Sequence, residues 1–264
     1  MQDLYKYFCM SCIIPTMNDQ AIQQLEAVAF RMWPALKVRV YDGWLLRYAR
    51  GHSKRTNSIN PFGPSTMDVH SKISYCENLY LNEYQLDVHF RLTGAMQPTD
   101  LETHLAARGY QRWDETLVQT ADLSTLPIHG DAGFHYQTRA NETWLQSYAA
   151  MNRVTADKMA LLREILERID LPCCFGMLDE AAVGLAVCDG TYVGLFDIVV
   201  APQRRKRGLG RALVGSLLAW ARAQGAQTAL LQVVATNQAA IKLYTQLGFR
   251  SHHRYWYRTR FRRE

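Results

Sequence analysis

Between Pro172 and Phe249 the apolar positions switch back and forth between short β-branched or small-residue runs and stripes at helical spacing. The runs predict strands at about 172–178, 182–188, 191–201 and 227–235, and the stripes predict helices at about 208–224 and 237–247. In the first of these helices Leu209, Leu213, Leu217 and Trp220 share one apolar face. Upstream, Met159, Leu162, Ile165, Leu166 and Ile169 predict a helix within 155–169, preceded by one over 142–152 that Asn141 caps. A final strand runs from Arg250 to about Thr259.

The first half shows the same alternation less clearly. A helix from Asp19 to Met32 stops before Pro34, and strands are expected within 38–49 and 56–60, between Gly and Asn turns. A helix over 67–80, a strand over 87–93, a helix over 99–108 and a strand over 112–121 follow. The segment STLPIHGDAGF, 124–134, has the Pro, Gly and polar content of a linker. This divides the chain into a tail at 1–17, one domain at 18–128 and another at 132–264. An offset of 139 residues lays Gly109-Tyr110 on Gly248-Phe249, Phe90-Arg91-Leu92 on Ala229-Leu230-Leu231, and Ile59 on Ile198. Two copies of one α/β fold are therefore expected.

Composition narrows the function classes. A chain of 264 residues with 48% apolar and 20% charged positions can bury one large core or two modest ones. Cys9 and Cys12 form a C-x-x-C with no second Cys or His pair nearby, so no metal site is expected and the six cysteines read as reduced thiols. Residues 1–17 lack a basic leader and a small-residue cleavage site, and no run nears the ~18–20 apolar residues of a membrane helix. The expectation is a soluble, cytoplasmic protein.

The net charge of +6 is concentrated: residues 204–211 carry +5, the end from Arg250 carries +5, and the rest sums to −4. General nucleic-acid binding is thereby disfavoured. The end, SHHRYWYRTRFRRE, mixes aromatics and arginines as a single-strand binder does, but its period of two fits a strand with one aromatic and one arginine face.

The other basic cluster lies in VVAPQRRKRGLGRALVGSLLAW, 199–220, where a strand ends at Pro202 and a helix opens at Gly208 and Gly210. A helix start offers unpaired N–H groups and a positive dipole end, and glycines let a ligand approach that backbone. The pyrophosphate of a cofactor suits such a place, with Arg and Lys adding charge-assisted contacts. In the first half the matched residues 66–71 read TMDVHS, with neither glycine nor basic cluster. No G-x-S-x-G, H-E-x-x-H or G-x-x-x-x-G-K-[ST] occurs, so serine hydrolase, zincin and P-loop classes lack support.

With Arg205-x-x-Gly208-x-Gly210 after a strand and ALLQVVATNQAAIKLYTQLGF (229–249) behind it, the stretch from Tyr192 to Phe249 resembles the core of the GNAT superfamily of N-acetyltransferases. The likeness extends over about 132–264, while the first half resembles it faintly, as in tandem GNAT proteins with one degenerate half. It implies two GNAT-like halves, each a mixed, mostly antiparallel sheet flanked by helices. It implies acetyl-CoA as donor, its pantetheine arm on the backbone of Val199, Val200 and Ala201. The pyrophosphate would lie on Arg204, Arg205, Lys206, Arg207, Gly208, Leu209, Gly210 and Arg211, with Asn237 near the pantetheine and Tyr244 near the sulfur. The acceptor would be a primary amine, of a small molecule first and of a protein lysine or N-terminus second, in a groove near Trp144, Tyr148 and Met151; the non-enzyme alternative is an acyl-CoA-sensing or nucleic-acid-binding module that kept the loop without turnover.

Amine acetylation needs a base for the ammonium proton, a donor for the carbonyl oxygen and an acid for the departing thiolate. Tyr244 is the candidate acid and Asp197, late on its strand, the candidate base. Each has a structural alternative: Tyr244 as a core aromatic, Asp197 as a strand-end carboxylate, Asn237 as a helix cap.

Overall fold

The computed structural model describes residues 17–263, so the Cys9/Cys12 pair lies outside the described residues. The elements are α1 (Met17–Met32), β1 (Lys37–Tyr41), β2 (Trp44–Tyr48), β3 (Ile59–Pro61), α2 (Val69–Glu77), β4 (Val88–Thr93), α3 (Leu101–Ala107) and β5 (Gln111–Asp122). Then come β6 (Phe134–Gln137), α4 (Glu142–Asn152), α5 (Ala156–Leu166), β7 (Cys173–Leu178), β8 (Ala182–Asp189), β9 (Tyr192–Val200), α6 (Leu209–Ala223), β10 (Thr228–Val234), α7 (Gln238–Gln246) and β11 (Arg250–Arg260). No described helix is long and apolar enough to cross a membrane.

The chain gathers into two compact units that are not contiguous stretches. Among the described residues, one holds 17–27, Ala35–Glu115 and 253–263; the other holds Val28–Pro34 and Thr116–His252. The segment 124–134 is not where they divide. Although rich in Pro and Gly, it is bound to α6: Asp131 N donates to Ser216 Oγ at 2.9 Å, Arg222 donates to the carbonyls of Leu123 and Leu126, and a side chain at Gly215 would collide with His129 O. Its composition marks irregular backbone, not free backbone. Residues 134–137, at its end, form the extra strand β6.

In the first unit the strand order is β1-β2-β3-β4-β11. Asp42 and Gly43, both at positive φ, make the two-residue turn of the β1–β2 hairpin, as Asp-Gly does. β3 and β4 are parallel and the other neighbours antiparallel. One face is apolar, with Trp44, Ile59, Phe90 and Leu92 packed under Ile73 and Tyr80 of α2 and its continuation and under Leu101 and Leu105 of α3. The remaining buried side chains include Glu26, Arg47, Lys72, His89 and Arg91. Glu26 pairs with Arg91 and with His253.

In the second unit the order is β5-β10-β9-β8-β7-β6. β9 and β10 are parallel, the others antiparallel. Leu213, Leu217 and Ala221 of α6 and Tyr244 of α7 pack on one sheet face with Ala182, Ala186, Val193 and Leu195. Trp144 of α4 meets Phe175 of β7 edge-to-face, and its Nε1–H donates to Gly176 O at 3.1 Å. Asn141 Oδ1 accepts from Trp144 N at 2.9 Å, the expected cap.

The sheets β1-β2-β3-β4-β11 and β7-β8-β9-β10-β5 thus repeat one order and one pattern of strand senses. Their fifth strands are exchanged in sequence, β5 completing the second unit and β11 the first. The 139-residue echo is of element order, not of register: Ile59 faces Phe90, but Ala229 faces Val193 rather than Ile198.

Candidate active site

β9 and β10 pair only from Tyr192↔Thr228 to Leu195↔Leu231, although β9 continues to Val200 and β10 to Val234. Beyond Leu195 the two strands part. On its other edge β9 stays bound to β8, with Val199↔Val183 and Val200↔Ala182, and Ala201 N donates to Ala181 O at 2.8 Å. The parted edge of residues 196–200, with Val199 and Val200 in it, is backbone that a ligand can pair with, whereas Ala201 has its N–H on Ala181 O and its carbonyl on Arg204 N.

A bulge lies at the point of parting. Between the pairs Leu185↔Phe196 and Val183↔Val199, β9 carries one more residue than β8, and Asp197 takes φ 51. The extra residue resets the alternation: Val193 and Leu195 face the α6/α7 cluster, and after the bulge Ile198 and Val200 do so again. Asp197 meets α4 instead, its Oδ1 accepting from Tyr148 Oη at 3.3 Å.

After Val200, Pro202–Arg204 forms a short 3-10 turn, and α6 starts at Leu209 with Gly208 as its cap at φ 85. Lys206 is also left-handed, at φ 60. Arg205, Lys206, Arg207, Gly208 and Arg211 are exposed, and Arg204 is half-buried with its Nε buried and without a hydrogen-bond partner among the described residues. Leu209 is packed on the core, so its contribution to a ligand is its N–H. A Cβ at Gly210 would lie 3.3 Å from Leu243 and 3.7 Å from Val200, so this glycine also lets α7 approach α6. Arg211 donates to Gln246 of α7 at 3.1 Å.

The two basic clusters part company here. In the first unit the arginines of β11 are neutralised: Arg254 by Glu115, Arg258 by Glu102, Arg260 by Glu77. Tyr255, Tyr257 and Thr259 are buried between them, the expected strand pattern. By contrast Arg204, Arg205, Lys206, Arg207 and Arg211 pair with no carboxylate among the described residues; Arg205 Nε donates to Val200 O. Five cations without a counter-charge around an open helix start fit a polyanionic phosphate ligand.

At the positions matched to Arg205 and Lys206 the first unit has Thr66 and Met67. Their N–H groups, with the hydroxyls of Ser65 and Thr66, all donate to the carboxylate of Asp42, which also pairs with buried Lys72 at 3.1 Å. Burial pushes this carboxyl up, but the donors outweigh it and hold it well below the usual carboxylate range. The matching place in the first unit is filled by the chain's own anion, a feature the motif TMDVHS does not reveal.

A family model described as the C-terminal region of the probable histone acetyltransferase Rv0428c matches residues 20–258. The chain belongs to the GNAT N-acetyltransferases. The uncharacterised N-acetyltransferase YobR of Bacillus subtilis is 29% identical over 243 residues, 86% of this chain and 94% of YobR. The probable histone acetyltransferase Rv0428c of Mycobacterium tuberculosis is 29% identical over 239 residues, 88% of this chain and 72% of that one. A GCN5-related N-acetyltransferase from Kribbella flavida shares the fold, with a TM-score of 0.61 at 14% identity over 94% of this chain and 96% of that one. This GNAT chain is an acyltransferase, and acetyl-CoA is the donor its family implies.

The remaining expected residues fall on both sides of the parted strands. Asn237 caps α7, its Oδ1 accepting from Ala240 N at 3.1 Å, which leaves its amide NH2 as the donor it can offer a ligand. Tyr244 is 8% exposed in the α6/α7 cluster, edge-to-face with Phe249, and burial pushes its phenol up to about 12. Asp197 reaches α4, away from that cluster. No group of metal-ligating side chains occurs among the described residues.

Proposed function

We propose that the second unit transfers an acetyl group from acetyl-CoA to a primary amine of a small molecule, the first unit being its degenerate copy. The observation that carries this reading is the set of five cations at 204–211, without carboxylate partners among the described residues, around the start of α6 where β9 parts from β10.

Arg204, Arg205, Lys206, Arg207 and Arg211, with the N–H groups of Gly208, Leu209 and Gly210, hold the phosphates. Val199 and Val200 pair with the pantetheine arm, and the amide of Asn237 assists. Acetyl-CoA supplies the acetyl group: an N–C bond forms, the C–S bond breaks, and of the two protons the ammonium sheds, one ends on the thiol and one in solvent. Asp197 accepts the ammonium proton, directly or through water, and Tyr244 donates to the departing sulfur. A phenol held protonated to about pH 12 is a donor throughout the physiological range.

The similarity to the probable histone acetyltransferase Rv0428c favours a protein amine as a second reading. Thiol release measured over small primary amines and lysine-containing peptides separates the two. The expected result is turnover of a small amine that Tyr244→Phe lowers by about a hundredfold, evenly across pH 6–9. Turnover confined to peptides supports the second reading, and an intact rate in Tyr244→Phe removes the acid assignment.

A further inference from the structure

We infer that the free edge of β1 in the first unit docks an extended segment of a partner protein, one that alternates carboxylates with β-branched residues. β1 is the end strand of its sheet, paired with β2 along one edge. Its five residues run in unbroken register from Lys37↔Tyr48 to Tyr41↔Trp44, with no proline and no bulge to turn an incoming strand away. In a ladder closed by the two-residue turn at Asp42-Gly43, Tyr41, Arg39 and Lys37 bond to β2. The N–H and C=O groups of Val38 and Val40 therefore point to the open edge, where a further strand can pair with them.

The two faces of that strand say what the segment carries. Val38 and Val40 share one face and are 49% and 43% exposed, an apolar pair left to solvent. Lys37 and Arg39 share the other. Arg39 donates to Tyr75 Oη and lies 5.6 Å from the centroid of that ring, and Lys37 Nζ lies 5.8 Å from the centroid of Tyr48. Neither cation pairs with a carboxylate among the described residues: Asp42 is taken by Ser65, Thr66 and Lys72, and Glu83 accepts from Asn78. Neutral rings thus hold both charges in place without cancelling them. In an antiparallel partner the residues opposite Lys37 and Arg39 form the non-hydrogen-bonded pairs, in which side chains approach most closely. Carboxylates there are favoured and cations are rejected. A second copy is disfavoured for the same reason, because pairing β1 with β1 over all five residues sets Arg39 against Arg39.

The experiment is fluorescence anisotropy of two labelled peptides of equal length, one alternating glutamate with valine and the other lysine with valine, titrated with the full chain. The expected result is saturation of the glutamate peptide below about 1 mM, weakened by added salt, and no saturation of the lysine peptide. Arg39→Glu should weaken the glutamate peptide about tenfold, and Lys37→Glu with Arg39→Glu should reverse the preference. Val40→Pro removes an N–H that β2 does not use, so it should keep the urea midpoint of wild type and weaken binding about tenfold. Where Val40→Pro lowers that midpoint, the charge-reversed variants, altered at exposed positions, decide alone. No saturation of the glutamate peptide by wild type, equal affinity for the two peptides, or a preference that survives the charge reversal overturns the inference. So does an association of wild type in sedimentation velocity that Val40→Pro abolishes, which would assign the edge to a second copy. None of these readouts depends on acetyl transfer.

Discussion

His253 and His89 show how single residues set the acid stability of the first unit. His253 Nε2 donates to Glu26 Oε1 at 2.9 Å, and burial, with Arg91 nearby, pushes its imidazole down to about 3. His89 shares a 2.9 Å hydrogen bond with Thr259 Oγ1, and burial, with Lys54 nearby, pushes it down to about 4. Both are neutral in the folded chain and titrate near 6.5 when unfolded, so as pH falls below 6.5 the unfolded chain takes up protons that the folded chain refuses. Stability is therefore whole above pH 6.5 and declines toward pH 4 and 3. At pH 5 each histidine accounts for a loss of about 2 kcal/mol relative to pH 7.5. Urea unfolding at the two pH values should show this drop, and His253→Asn should reduce it. An unchanged midpoint between pH 7.5 and pH 5 would contradict the assignment. Neither histidine stands out in the sequence, because what shifts them is burial and charges distant along the chain, Arg91 beside His253 and Lys54 beside His89.

Elements were legible in proportion to how local their determinants are. The helix opened by Gly208 and the cap at Asn141 each follow from a few adjacent residues and stand where the pattern puts them, whereas the hairpin turn at Asp42-Gly43 splits the stretch 38–49 into two strands. The bulge at Asp197 was not legible, since it is defined by the register of β9 against β8. Nor was the occupant of the α2 approach, because Asp42 lies 24 residues before Thr66. Removing that occupant leaves Lys72, whose side chain is fully buried, facing Trp44 at 4.0 Å without its carboxylate. Asp42→Ala should then lose about 3 kcal/mol of stability, and Asp42→Ala with Lys72→Met should recover part of it. Equal losses in the single and double variants, read by urea unfolding, would show that the pair does not act as one.

At the scale of the whole molecule, two units repeat one strand order, yet among the described residues only one has cations without carboxylate partners at the junction of its third strand and following helix. The division was expected from TMDVHS against RRKRGLG, but its physical basis is clearer in the structure: one junction is satisfied from within and the other is open. The exchange of β5 and β11 escaped the sequence because strand pairing is non-local, and a cut at 124–134 would separate β5 from the unit it completes. These features converge on a stoichiometry. Calorimetric titration of the full chain with acetyl-CoA should give one site per chain, and Gly208→Glu, which sets a carboxylate among the five cations, should abolish all saturable binding. Two sites per chain, or binding that survives Gly208→Glu unchanged, would contradict the placement of the cofactor's phosphates at residues 204–211.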